Sequence, residues 1–136
     1  INAVEQATGV RPSETYLGDI NLFAVFDNED NVSNMTPNFD AVSKLDGQGL
    51  IISSSSNQYD FVSRYFCPKY GINEDPVTGS AHTTLIPYWS EKLNKISLEA
   101  KQVSKRGGEL FCENTENRVL IGGNAVLYMK GVIEID

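Results

Sequence analysis

A chain of 136 residues with 18 acidic against 11 basic side chains carries a formal charge of -7 and a pI near 4.6. Its surface therefore repels a phosphate backbone, and nucleic acid is excluded as a partner. At 15.0 kDa, 40% hydrophobic and 21% charged, residues 1–136 read as one globular domain with a single core. No apolar run approaches the roughly 20 residues that cross a bilayer, so no membrane partner is expected.

Ile20 to Phe26 (INLFAVF) is rich in β-formers and closes in the polar cluster DNEDN, which predicts a strand followed by a turn. In TPNFDAVSKLDGQG, Pro37 sits at a first helical position, Phe39, Val42 and Leu45 are the apolar positions, and Gly47 follows; a short helix is expected. Leu50 to Ser54 and Asp60 to Phe66 read as strands, the second ended by Cys67-Pro68. From Ser80 to Leu93 the pattern turns helical, with Ala81, Leu85, Trp89 and Leu93 spaced by four. Pro87 inside that segment lacks an N–H and predicts a kink or break near Thr83. Four strand-like runs follow (ISLEAKQVS, GELFCEN, RVLIGG and AVLYMKGVIEI), separated by glycine- and asparagine-rich punctuation. The order predicts an α+β domain, a mostly antiparallel sheet curled around one largely apolar central helix.

The chemistry crowds into GINEDPVTGSAHTTLIPYW, Gly71 to Trp89, a loop of about a dozen residues leading into the helix. Thr78 or Ser80 suits an N-cap, Gly79 admits a ligand close to the backbone, and the first helical N–H groups lack partners. With the helix dipole, such a turn holds a carboxylate or phosphate without a lysine. Asp75, fixed by Pro76, can carry or orient a proton beside that anion; a plainer reading leaves Glu74 and Asp75 as loop acids near a helix start. His82 falls in the first turn, either touching substrate or packing behind it. One histidine and two cysteines, Cys67 and Cys112 outside any C-x-x-C spacing, point to no metal site and no disulfide framework. Their scarcity fits a reducing, cytoplasmic home. The chain opens at Ile1 without a methionine, so a piece of something longer is expected.

DFVSRYFCPKYGINEDPVTGSAHTTLIPYWSEKL, followed by QVSKRGGEL and RVLIGGNAVLYMKGVI, resembles the second half of PhzF-like proteins, the phenazine-biosynthesis isomerase family. The likeness covers Asp60 to Ile133 strongly and the first sixty residues loosely. It implies one half of a diaminopimelate-epimerase-like fold, with the active site in a cleft between two similar halves. It also implies proton transfer on a small carboxylic acid by a carboxylate base, with no metal, flavin or pyridoxal phosphate.

The family's catalytic glutamate lies in the first half, and nothing in this sequence matches it. Asp75 resembles the family's active-site aspartate and Ser80 its active-site serine. Thr78, Gly79, Ser80, Ala81 and His82 then form the substrate-binding turn. The expected partners are the small carboxylate and a complementary N-terminal half, with a homodimer left open. The competing expectation is a domain that binds a small carboxylate or a protein and performs no chemistry.

Overall fold

The computed structural model describes residues 1–135. In chain order the elements are α1 (Asn2–Thr8), β1 (Glu14–Leu17), β2 (Leu22–Val25), α2 (Glu29–Ser33), α3 (Phe39–Val42), β3 (Leu50–Ser55) and β4 (Phe61–Phe66). A 3₁₀ turn at Pro68–Tyr70 leads to β5 (Glu74–Asp75), then α4 (His82–Leu93), β6 (Ser97–Gln102), β7 (Gly108–Asn114) and β8 (Val119–Gly122). The strands form one sheet in the order β1-β2-β3-β4-β6-β7-β8, with β5 also on β4. Two pairs are parallel, β2 with β3 and β4 with β6, and the other pairs are antiparallel.

Side chains alternate across each strand, so the sheet builds two cores and not the single one expected. Phe23, Val25, Ile51, Phe61 and Tyr65 join Leu85, Ile86 and Trp89 of α4 on one face. Ala24, Phe26, Leu50, Ile52, Val62 and Phe66 join residues of α1 to α3 on the other. Both edges of the sheet reach α4. At one edge Tyr88 Oη donates to Glu14 Oε2 at 3.0 Å and Lys92 Nζ to Glu14 Oε1 at 2.9 Å; at the other Val119 packs into the α4 core. The sheet is thus curled around that helix.

Helix α4 runs unbroken through Pro87. Pro87 and Thr83 both face solvent, so the Thr83 carbonyl that loses its partner is hydrated at no great cost. Trp89 stacks on Phe61 at 5.7 Å and donates its indole N–H to Ser53 Oγ at 2.9 Å. Three other expectations are corrected. DNEDN is no mere turn: Asn28 Oδ1 accepts from Asn31 N–H at 3.0 Å and opens α2. Asn38, and not Pro37, starts α3, accepting from Ala41 N–H at 3.1 Å. The last run, residues 125–135, forms no strand, because it lies along neither open edge of the sheet, β1 or β8, and so has no ladder to join. Seven of its large apolar side chains are 78% to 97% exposed.

Candidate active site

The β4–β5 hairpin decides which acid does what. Cys67 N–H donates to Asn73 O at 3.2 Å, Gly71 turns the chain at φ 83, and the register pairs Tyr65 with Asp75 and Phe66 with Glu74. Adjacent residues of a strand point to opposite faces, so the two acids separate. Glu74 meets Arg64 in a two-pronged pair, Nε to Oε1 at 2.7 Å and Nη2 to Oε2 at 2.9 Å. Arg64 Nη1 also donates to the carbonyls of Val32 and Met35. Glu74 is therefore a structural anchor. Asp75 emerges on the face of α4, where its Oδ2 accepts the Thr78 hydroxyl at 2.5 Å.

Because that hydroxyl serves Asp75, it does not cap the helix. The N-cap is Ala81, without a side-chain hydrogen bond. The turn closes through His82 N–H to Gly79 O at 3.0 Å and Thr83 N–H to Ser80 O at 3.2 Å. Among the described residues, the N–H groups of Gly79, Ser80 and Ala81 find no acceptor. Orphan donors at a helix start, with the dipole behind them, are able to accept an anion. Gly79 and Ser80 are exposed, whereas the Ala81 methyl is buried and roots the turn in the core.

Asp75 and Ser80 line the same cleft of about 580 Å³, together with Asp19, Asn21, Tyr65 and Cys67. A larger hollow of about 860 Å³ lies along β6, β7 and β8, but none of the expected site residues lines it. Gly49 makes room for Tyr65, since a Cβ there would fall 2.5 Å from the ring carbon Cζ. Tyr65 Oη then donates to Asn21 Oδ1 at 2.9 Å. Burial pushes Tyr65 up to about 12, so it stays a donor.

Cys67 reaches the cleft although it is eight residues from Asp75 in sequence, because the hairpin folds back. Burial, reinforced by the nearby Asp75 charge, pushes its thiol up and keeps it protonated. Cys112 sits in the core with its thiol likewise pushed up, to about 11, by burial.

Thr78 and His82 stand behind the turn. Thr78 N–H donates to Gln102 Oε1 at 2.7 Å. His82 is fully buried, tilted against Phe61 at 6.0 Å. Its Nδ1 lies 2.8 Å from Thr78 O, so the proton is on Nδ1 and the Nε2 lone pair is left without a partner. Burial holds its pKa below 6.5 and the ring neutral. With its own N–H bonded to Gly79 O, His82 offers the cleft nothing directly. No group of three or more His, Cys, Asp or Glu among the described residues could hold a metal ion. No helix among them is long and apolar enough to cross a membrane.

The family described as phenazine biosynthesis-like protein matches residues 3–131. The chain belongs to this family. An uncharacterized isomerase of Pseudomonas aeruginosa is 46% identical over 132 residues, 97% of this chain and 51% of that protein. The crystal structure of a PhzF-family phenazine biosynthesis protein from Enterococcus faecalis superposes with a TM-score of 0.90 at 52% identity, over 96% of this chain and 50% of that one. A putative PhzC/PhzF protein from Clostridium difficile gives 0.84 at 46% identity, over 98% and 50%. The PhzF-family chain thus has the diaminopimelate-epimerase-like fold and spans about half the length of the relatives it matches.

Proposed function

We propose that this chain is the carboxylate-binding half of a PhzF-family isomerase that moves a proton between carbons of a small carboxylic acid in the cytoplasm, without a metal or organic cofactor. The observation that carries this is that Asp75 and Ser80 line one cleft, at a helix start where the N–H groups of residues 79–81 have no acceptor among the described residues. The general base is expected on a complementary N-terminal half. The acids that line the cleft are Asp19 and Asp75, while Glu74 is committed to Arg64 on the other face of the sheet.

In the proposed reaction the substrate carboxylate seats on the N–H cradle. The base removes a proton from the neighbouring carbon, and the electron pair left behind spreads onto the seated carboxylate, where fixed donors stabilise it. In an unsaturated acid that pair also reaches the far carbon of an adjoining C=C, so the base returns the proton there and the double bond moves onto the carbon that lost the proton. Asp75 carries or orients a proton beside the reacting carbons, its Oδ2 held by Thr78. The complementary half would also cover the apolar side chains of residues 126–135, whose exposure is unusual for a finished surface.

The test joins this chain to a complementary half and follows deuterium uptake from D₂O at carbon in a panel of small carboxylates by NMR. Asp75→Ala should cut uptake by about 100-fold or more, the range of acid–base catalysis, with the fold intact. Undiminished uptake in that variant would remove Asp75 from the reaction. A second reading, carboxylate binding without chemistry, draws on the lack of an acid matching the family base; binding without any carbon exchange would favour it, and a second copy seated on residues 126–135 would make a homodimer of it.

A further inference from the structure

The run QVSKRGG resembles the family yet lines no part of the Asp75 cleft. Its place in the fold says what it does. Strands β5 and β6 lie end to end along the same side of β4: Phe61 to Ser63 pair with Ala100 to Gln102, and Tyr65 and Phe66 pair with Asp75 and Glu74. The last residue of β6, Gln102, therefore abuts the last residue of β5, Asp75. Gln102 is 1% exposed and makes three hydrogen bonds there. Oε1 accepts from Thr78 N–H at 2.7 Å, while Nε2 donates to Asp75 O at 2.8 Å and to Thr78 Oγ1 at 3.1 Å.

These bonds fix more than a loop. A backbone N–H on one side and a carbonyl on the other allow the Gln102 amide only one orientation, because the flipped amide would oppose donor to donor and acceptor to acceptor. With that orientation Thr78 Oγ1 receives a hydrogen from Gln102, so its own proton is free to go to Asp75 Oδ2. Among the described residues Asp75 Oδ1 takes no hydrogen bond. The next residues complete the bracket: Ser104 Oγ donates to Pro76 O at 2.7 Å and accepts from Gly107 N–H at 3.1 Å.

We infer that Gln102 is a positioning residue that acts through Thr78, setting the direction of the Thr78 hydroxyl so that Asp75 is held in one rotamer by Oδ2 with Oδ1 left to meet the substrate. The inference rests on the reading of Asp75 as the proton-handling acid of this half. Gln102 touches no substrate; its effect is to decide which oxygen of Asp75 can.

Two readouts separate this inference from the isomerase reading itself. In the isotopically labelled chain, the Asp75 Hα–Hβ couplings should report one staggered rotamer. Thr78→Val and Gln102→Leu, which keep the buried volume, should average those couplings, and Thr78→Ser, which restores the hydroxyl, should recover them. A fixed rotamer in Thr78→Val, or averaging in the unaltered chain, overturns the inference whether or not any substrate is turned over. In the protein with both halves, Thr78→Val should lower the maximal rate of carbon deuteration by about 100-fold with little change in KM, and Thr78→Ser should restore it. An unaltered maximal rate in Thr78→Val also overturns it. Loss of all exchange in the unaltered protein, with the couplings behaving as described, defeats the isomerase reading and leaves the bracket in place.

Discussion

Ser80 and His82 stand two residues apart at the same turn, and their environments give them opposite tasks. The Ser80 hydroxyl is exposed, and the anion cradle is backbone. Ser80→Ala should weaken binding of a small carboxylate only mildly, whereas Ser80→Pro deletes one of the three donors and should weaken it much more; the reverse order in a calorimetric titration would make the hydroxyl the main contact. His82 works through burial. A neutral ring in the folded state and an ordinary value of 6.5 in the unfolded chain mean that the unfolded state binds the proton first as pH falls. Stability from this group is complete above about 6.5 and declines below it. Denaturation at pH 7.5 and 5.5 should show that loss, and His82→Asn, which keeps a donor for Thr78 O, should reduce it. The spacing of residues 75 to 82 marked this turn as the chemical part of the chain. It could not say that the Thr78 hydroxyl faces Asp75 and not a helical N–H, because that choice is set by Gln102, 24 residues further along.

At the scale of elements, the long periodic segments were legible, as were the short α3 and β8, whereas α1, α2, β1 and β5 were not. Strands β2, β3 and β4 and helix α4 are written in β-branched, aromatic and four-spaced apolar residues, and they form where those patterns lie. The two-residue strand β5 leaves no periodicity to read, yet it separates an anchor from a reactive acid. Removing half of a largely buried two-pronged ion pair strands the other charge, at a typical cost of about 3–5 kcal/mol. Glu74→Ala should therefore lower the unfolding free energy by that order in a urea titration, since Arg64 and Glu74 are 12% and 18% exposed. The glycine pair after Arg106 was legible as a turn, and Gly107 does have φ 68. Its neighbour has a second task that only packing reveals: a Cβ on Gly108 would come within 2.5 Å of Val77 Cγ2, so β7 and the site loop touch there. The run at 125–135 shows the limit of pattern reading. Its composition suits a strand, but a strand exists only when another lies alongside.

For the molecule as a whole, the closing of the sheet around α4 has a cost in time. Glu14 meets Tyr88 and Lys92 across 74 and 78 residues of chain, and Glu14 is held at about 2 by its hydrogen bonds to Tyr16 and Lys92. Contacts so distant in sequence are assembled late, after hairpins and helices have formed locally. Glu14→Gln should hence speed unfolding while leaving refolding nearly unchanged in stopped-flow chevrons, the pattern of an interaction absent from the transition state; slowed refolding would place the closure in the nucleus. One wall of the Asp75 cleft, Asp19 and Asn21, hangs from the β1–β2 turn, which Tyr65 Oη holds through Asn21 Oδ1 across 44 residues of chain. The cleft thus needs residues 19–21 and residues 65–84 in one piece, and a cut anywhere between them would leave the turn at 79–81 without the wall that faces it.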